Sequence, residues 1–187
     1  MDATLRISLG VAAFIAIAAC TVGHGSNPDD ISGYRKWTQV NQEPVYMEPF
    51  VAFLCVPTPP EYSKPNPHMT KYFTVYVNDV GKAAMLSKGQ PKFPVGSIIV
   101  KEKVAPAMSL SDANFDAKKT VPKSFEKPEL LTVMIKRDKG FNPKCGDWEF
   151  RTAKSDGKYN VGETTNHCVS CHESRPTNDF TYRTYIR

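Results

Sequence analysis

Two cysteines and a histidine are closely spaced near the C-terminal end of the sequence, in the order Cys168-Val169-Ser170-Cys171-His172. Two cysteines separated by two residues and followed directly by a histidine form the pattern that covalent attachment of a c-type haem requires. Each thiol adds to one vinyl group of the porphyrin, and the adjacent imidazole coordinates the iron. The motif therefore predicts one haem c in the chain, held by Cys168 and Cys171, with His172 as an axial iron ligand.

Two other interpretations of the same cysteines stay open from the spacing alone. Cys168 and Cys171 can form a disulfide, or they can supply half of a structural zinc site. Structural zinc sites usually bring ligands in two pairs, whereas Cys55 and Cys145 lie far apart in the sequence and do not form a second pair. Haem attachment is therefore the favoured interpretation.

The N-terminal residues 1–19 have the features of an export signal. Arg6 precedes the apolar segment 7–19, whose 13 residues are too few to cross a bilayer. The sequence Ile17-Ala18-Ala19-Cys20 resembles a bacterial lipobox, in which the cysteine is acylated and becomes the first residue of the mature protein. The alternative is an ordinary cleavage site at Ala16-Ile17-Ala18. We expect a periplasmic protein that is attached to a bacterial membrane only through a lipid on Cys20.

The remainder of the chain suits one domain that follows a short tether. Residues 20–32 are mostly polar or small, as in a flexible linker, and residues 33–187 are long enough to bury a core of their own. The chain contains 15 prolines, which would interrupt a bundle of long helices repeatedly. We therefore expect a mixed fold.

Cys55 and Cys145 remain after the lipid and the haem have been assigned their cysteines. Disulfides form and persist in oxidising compartments such as the periplasm. We therefore expect these two cysteines to pair.

The formal net charge of +5 is spread along the chain without a long basic run. This pattern argues against nucleic-acid binding. A mildly basic surface can steer an acidic redox partner, such as another cytochrome, towards the protein.

Four segments rich in β-branched and aromatic residues predict strands: Tyr72–Val77, Ser97–Val104, Leu130–Lys136 and Gly146–Arg151. Their hairpin-like spacing predicts an α+β fold that is mainly antiparallel β-sheet with a few short helices and a C-terminal c-type haem attachment. Alternation along the second strand puts Ile99, Lys101 and Lys103 on one face and Ile98, Val100 and Glu102 on the other.

Two short helices are expected between and after the strands. Asn78 or Asp79 would cap a helix that runs to Leu86, with Gly89 as its stop. A second helix, capped by Thr164 or Thr165, would carry the haem motif.

With these motifs in view, the sequence resembles the cytochrome P-460 family from about Gly33 to the end of the chain. The resemblance implies an exported, mostly β-sheet haem c protein that forms homodimers and has its haem motif near the C-terminus. The matching segments are Tyr34-Arg35-x-Trp37, Val75-Tyr76-Val77-Asn78, Phe93 to Glu102, Lys136-Arg137, Gly146 to Phe150, Cys168 to Glu173 and Asp179-Phe180.

The resemblance also implies roles for three residues outside the haem motif. In that family a lysine in a Val-Lys-Glu segment can bond covalently to the haem macrocycle, and Lys101 is the matching position here. Hydroxylamine-oxidising relatives supply a carboxylate from the strand that matches Leu130–Lys136. Here that strand offers Thr132 and Met134 as candidates for the distal pocket.

Three functions are compatible with these residues. In the first, iron with an open distal position oxidises hydroxylamine or a related small nitrogen compound. In the second, the protein binds nitric oxide, as the beta-type cytochromes c prime do. In the third, Met134 or another methionine is the sixth ligand, and the protein is a simple electron-transfer cytochrome.

Overall fold

A six-stranded antiparallel sheet is the centre of the fold in the computed structural model, which describes residues 27–47, 71–105, 127–162 and 165–186. The strand order is β1-β3-β4-β5-β6, and β2 pairs with β3 on the same side as β1. This sheet confirms the predicted fold class. The strands are β1 (Thr38–Gln39), β2 (Val45–Tyr46), β3 (Tyr72–Val77), β4 (Ile98–Val104), β5 (Leu130–Lys136) and β6 (Trp148–Ala153).

The sheet register assigns each residue of β4 to a face. Residues directly opposite each other in an antiparallel pair point to the same side of the sheet. Lys101 lies opposite Thr132, and Ile99 lies opposite Met134, which in turn lies opposite Phe150. These five residues therefore share one face, which we call the cleft face, as the alternation in β4 predicted.

The opposite face is covered by the segment that leads into the sheet. Ile31 is fully buried against this face. The carboxylate of Glu102, which is also fully buried, accepts hydrogen bonds from Tyr34 Oη at 2.8 Å and from Arg35 at 2.7 Å. Burial and the Glu102 carboxylate raise the pKa of Tyr34, so its hydroxyl keeps the proton that it donates.

An ion pair fixes the start of the same segment. Asp29 accepts two hydrogen bonds from Arg137, at 2.8 and 2.6 Å, and Arg137 also bonds Glu149. Residues 27–32, the end of the predicted tether, are thus held against the sheet, while residues 20–26 lie outside the described part of the chain.

Two short α-helices pack beside the sheet. In α1 (Asp79–Leu86) the side chain of Asn78 accepts a hydrogen bond from Gly81 N at 3.1 Å, as the predicted cap requires. The helix ends at Leu86, as predicted, but the residue that stops it is Ser87 and not Gly89, because Ser87 is already extended and its hydroxyl bonds the carbonyl of Ala84. The second helix, α2 (Asn166–His172), carries the motif. Thr165 precedes it without a side-chain cap bond, and Thr164 lies outside the described residues.

The last strand starts later than the sequence predicted. Gly146 and Asp147 have φ values of 58° and 64°, in the left-handed region, which is incompatible with an extended strand. The strand therefore begins at Trp148 and extends to Ala153. In the part of the chain that the structure describes, no helix has the length and apolar character needed to cross a membrane.

Candidate functional site

Helix α2 brings the three motif residues to one side of a single turn. Cys168 and Cys171 are three residues apart and Cys168 and His172 are four apart, so all three side chains lie on the same side of the helix. Cys168 is 8% exposed and lines a cleft together with His172. The Cys168 thiol and the imidazole therefore face a shared space, and Cys171 lies beside it.

A backbone carbonyl fixes the orientation of His172. Nδ1 lies 2.6 Å from the oxygen of Phe180, and because a carbonyl only accepts hydrogen bonds, Nδ1 carries the proton. Nε2 then keeps its lone pair and has no hydrogen-bond partner among the described residues. The ring packs against Phe150 and Tyr182, with ring centroids 4.8 and 5.1 Å away.

Burial keeps this imidazole neutral. The pKa of His172 is lowered to about 4, mainly by removal from water; the bond to Phe180 opposes this shift, and the charges of Lys101 and Lys103 add to it. A neutral imidazole with a free Nε2 is the form that coordinates a metal. His172 is thus in the form that can coordinate a metal.

The tail that supplies the carbonyl of Phe180 is itself held from three sides. The carbonyl of Asp179 accepts a hydrogen bond from Trp148 Nε1 at 2.8 Å. The Asp179 carboxylate accepts from Phe93 N at 2.8 Å and from Lys136 Nζ at 2.6 Å. Sequence reasoning noticed Asp179 only as part of a matching segment and missed this role, because a side chain that orients a backbone carbonyl leaves no spacing pattern.

Arg183 attaches the following part of the tail to α1. Its guanidinium donates to the carbonyls of Ala84, Met85 and Ser87 at 2.8 to 3.0 Å and to the carbonyl of Gly89 at 2.7 Å. A positive charge at the C-terminal end of a helix also interacts favourably with the helix dipole. Residues 182–185 are thereby held over the cleft.

The cleft between the sheet and the tail contains about 500 Å³ of space, part of it open to solvent. Of the described residues that line it, none is a carboxylate, and most are apolar or aromatic. The lining includes Ile99, Lys101, Thr132, Met134, Phe150, Cys168, His172, Tyr182 and Tyr185.

The amine of Lys101 lies between two aromatic rings at this cleft. Nζ is 4.6 Å from the ring centroid of Phe73 and 5.7 Å from that of Tyr185. An ammonium group is attracted to the faces of such rings. The predicted position of Lys101 on the cleft face beside Ile99 is therefore observed.

Lys103, two residues further along β4, is a buried residue that sequence reasoning did not single out. The residue is 1% exposed, and its Nζ has no hydrogen-bond partner among the described residues. Alternation along β4 puts Lys103 on the cleft face. This position was the one signal in the sequence that could have identified it as buried. An unpartnered amine in the interior is costly, so this residue requires an explanation.

The structure thus brings together five of the residues singled out from the sequence: Lys101, Thr132, Met134, Cys168 and His172. Cys171 lies beside the cleft, where its carbonyl accepts a hydrogen bond from Tyr182 Oη at 3.1 Å. Within the described ranges no group of three or more His, Cys, Asp or Glu residues is arranged to hold a metal ion, which gives the zinc interpretation no support there.

Cys145 is fully buried beside α2, with its Sγ 3.5 Å from the carbonyl of Val169. Burial raises the pKa of its thiol to about 11. Its predicted disulfide partner Cys55 and the predicted lipid-bearing Cys20 lie outside the described residues, so both assignments stay predictions.

An apolar cleft, a neutral imidazole with a free Nε2 and two thiols on the same helix side fit a haem. A family model described as Cytochrome P460 matches residues 31–183, which is most of the chain. No curated protein matches the chain.

Proposed function

The chain belongs to the cytochrome P460 family, which implies a haem cofactor, and we propose that it is an exported haem c protein that oxidises hydroxylamine or a related small nitrogen compound. In this proposal each chain carries one haem and the iron has an open distal position. The observation that supports it best is the combination of the neutral, oriented His172 with an apolar cleft on the side of its free Nε2.

Three side chains would hold the cofactor. The thiols of Cys168 and Cys171 would each add across one vinyl group, with sulfur bonding to one carbon and hydrogen to the other. Nε2 of His172 would be the axial ligand on the α2 side. When bound, the haem supplies an iron that takes up a small ligand and accepts electrons from it.

The remaining residues of the cleft would control what reaches the iron. Tyr182 and Tyr185 belong to the tail that Arg183 holds in place, so they limit the access of water. Ile99, Met134 and Phe150 form an apolar wall that favours small neutral ligands over charged ones. Neutral hydroxylamine and nitric oxide both meet this requirement.

Lys101 is proposed to bond to the macrocycle, as the family resemblance implies. Its position at the cleft between Phe73 and Tyr185 supports this role. The amine must lose its proton before it can act as a nucleophile, and contact with two ring faces favours the protonated form. The cross-link therefore requires the bound haem to change the environment of Lys101. Forming the bond from nitrogen to a macrocycle carbon removes one hydrogen from each atom, so it also requires an external two-electron oxidant such as a peroxide.

A nitric oxide-binding protein is the second candidate. The observation that favours it is the absence of a carboxylate from the described lining of the cleft, because removal of protons from hydroxylamine requires a base near the ligand. Met134 also lines the cleft, and its ligation to the iron would make the protein an electron carrier instead.

Several further features belong to the same proposal and rest on sequence alone. These are cleavage before Cys20, a lipid on that residue, a periplasmic location, a redox partner cytochrome, homodimers, and a disulfide between Cys55 and Cys145. Because Cys145 lies beside α2, that disulfide would attach residue 55 to the segment that packs against the motif-bearing helix.

Spectroscopy of the purified holoprotein tests the proposal. A far-red-shifted band of the reduced protein is expected for a cross-linked haem, a five-coordinate spectrum for a gas binder, and sharp low-spin bands for a Met134-ligated carrier. The intact mass should lack two hydrogens if Lys101 is bonded to the haem, and Lys101→Arg should restore them.

Turnover decides between the first two candidates. Hydroxylamine should reduce an artificial electron acceptor in the presence of the holoprotein, and Lys82→Met, which changes an exposed lysine of α1, should not alter the rate. Tight nitric oxide binding without turnover would instead establish the gas binder. A protein that matures without colour would contradict every haem function considered.

A further inference from the structure

We propose that Asp179 is a positioning residue for the axial ligand of the iron and that, through His172, it keeps the reduction potential of the haem low. The inference rests on the proposed haem function and goes beyond it, because it names the side chain that sets the electron donation of the imidazole. Asp179 is not among the residues that line the cleft, so it acts through His172 and not on a bound molecule.

The hydrogen bond between His172 and the tail is the first step of this effect. Nδ1 of His172 donates to the carbonyl of Phe180 at 2.6 Å. A histidine that donates such a bond from its second ring nitrogen is a more basic metal ligand, with a fixed tautomer and ring orientation. A more basic imidazole gives more charge to the iron, which favours the ferric state and lowers the reduction potential. The position of one backbone carbonyl therefore controls the electronic properties of the site.

Local hydrogen bonds shape the loop that carries this carbonyl but do not fix its position. Phe180 N donates to the carbonyl of Arg175 at 2.8 Å, and Arg175 N donates to the carbonyl of His172 at 3.0 Å. Both bonds join the loop only to itself and to the end of α2. The ring of His172 packs on Phe150 of the sheet, so the loop also has to be held against the sheet for the carbonyl to meet Nδ1.

Asp179 attaches the loop to the rest of the protein by three hydrogen bonds. One carboxylate oxygen accepts from Lys136 Nζ at 2.6 Å, and the other accepts from Phe93 N at 2.8 Å. The carbonyl of Asp179 accepts from the indole of Trp148 at 2.8 Å, and Lys136 Nζ lies 5.1 Å from the centroid of the same indole ring. Donors from β5, from β6 and from the segment before β4 thus converge on the residue next to Phe180.

The backbone conformation of the tail depends on these contacts. Asp179 and Phe180 have φ values of 48° and 58°, in a region where residues with side chains stay only when the surroundings hold them. Gly146 packs closely against both, since a Cβ on it would lie 2.5 Å from Cδ2 of Phe180 and 3.1 Å from Oδ1 of Asp179. Loss of the carboxylate therefore lets this backbone rotate, which moves the Phe180 carbonyl away from Nδ1 of His172.

Two measurements on the purified holoprotein test the inference: the reduction potential, and the iron–histidine stretching frequency of the ferrous form by resonance Raman. Asp179→Ala removes both carboxylate contacts. At a fixed applied potential, the ratio of reduced to oxidised haem should rise about tenfold, the lower end of what loss of a ligand's partner costs in metal affinity. This ratio corresponds to a midpoint about 59 mV higher.

The stretching frequency of Asp179→Ala should fall, because a less basic imidazole forms a weaker bond to the iron. Asp179→Asn keeps one acceptor oxygen and should recover part of both changes. Trp148→Phe removes the donor to the Asp179 carbonyl without any change of charge. It should shift the potential and the frequency in the same directions as Asp179→Ala.

A charge-neutral double variant separates position from charge. Loss of the negative charge in Asp179→Ala by itself favours ferrous haem. Asp179→Ala combined with Lys136→Met removes one charge of each sign, so an effect of charge alone should disappear, whereas a displaced carbonyl should keep the potential raised and the frequency low. Asp29→Asn breaks an ion pair of partly buried side chains elsewhere, and both measurements should stay at their wild-type values.

The outcomes are distinct. Wild-type potential and frequency in both Asp179→Ala and Trp148→Phe would overturn the inference and leave the proposed function intact. A return to wild-type values in the double variant would also overturn it, because charge would then explain the single variant. If Asp179→Ala does not mature, Trp148→Phe decides alone. A six-coordinate wild-type ferrous iron would contradict the proposed open distal position, and the potentials would still test Asp179.

Discussion

The indole Nε1 of Trp148 donates a hydrogen bond to the carbonyl of Asp179 at 2.8 Å, one peptide before the carbonyl that holds His172. Trp148 is the first residue of β6 and is fully buried. The sheet is thus connected through two adjacent carbonyls to the imidazole of the haem motif. Asp179 and Phe180 both have positive φ values, 48° and 58°, so this local backbone conformation depends on such outside contacts.

Replacing the indole should therefore weaken both the fold and the site. Trp148→Phe keeps an aromatic ring but leaves the Asp179 carbonyl without its donor. We expect the free energy of unfolding to fall by about 1–3 kcal/mol, measured by urea denaturation. Trp37→Phe is the matched control, because Trp37 is partly buried and its indole donates no hydrogen bond to a described residue. Equal losses in the two variants would contradict the role of this bond.

Lys136 and Asp179 form an ion pair, and their contributions to the stability of the fold should depend strongly on each other. Its atoms are 2.6 Å apart, and the two side chains are only 13% and 14% exposed. Lys136→Met leaves the mostly buried Asp179 carboxylate without its cation, and we expect the free energy of unfolding to fall by about 3 kcal/mol. Asp179→Asn should cost less, since asparagine tolerates the left-handed backbone. A double-mutant cycle with both changes should give a coupling energy of at least about 1 kcal/mol; additive effects would argue against the pair.

Gly146 should be intolerant of any side chain. A Cβ at this position would lie 2.5 Å from Cδ2 of Phe180, so Gly146→Ala must displace the residue whose carbonyl orients His172. Gly140 also has a positive φ, of 99°, but has open space around it. Gly140→Ala should therefore lower the free energy of unfolding, measured by urea denaturation, by about 1 kcal/mol from backbone strain alone. Gly146→Ala should lower it by about 1–3 kcal/mol more than that. The Gly146 variant should also alter the haem spectrum, whereas the Gly140 variant should not.

Acid should loosen the attachment of residues 27–32 to the sheet. The bond to Arg137 holds the pKa of Asp29 below its ordinary value of 3.8. A lowered folded-state pKa stabilises the protein above pH 3.8, and this contribution is lost as the pH falls through the lower value. Asp29→Asn should thus reduce stability by about 1 kcal/mol near neutral pH, and its difference from the wild type should shrink steadily as the pH falls below 3.8.

Urea midpoints across this pH range provide the measurement. Asp138→Asn is the control, because Asp138 is exposed and forms no ion pair with a described residue. A constant difference between Asp29→Asn and the wild type at every pH would mean that the ion pair does not stabilise the fold.

The sequence predicted correctly the positions that depend on side-chain chemistry or on alternation along a strand. The positions of Cys168, His172 and Lys101 followed from the motif, from alternation in β4 and from family resemblance. The acceptor at Phe180 was not predictable, because every residue has a carbonyl and only the folded tail determines which one meets His172. The burial of Lys103 was equally hidden, since a lysine beside Glu102 in the sequence is usually at a surface.

The position of the haem motif after the last strand has a consequence for maturation. A chain emerges from its N-terminal end, so β1 to β6 are complete before α2 and the tail exist. The carbonyl that aligns His172 comes eight residues after it, and Arg183 comes later still. In the proposed haem c protein, haem attachment would therefore take place on an open tail, and closure of residues 179–186 over the porphyrin would be the final event in the assembly of the domain.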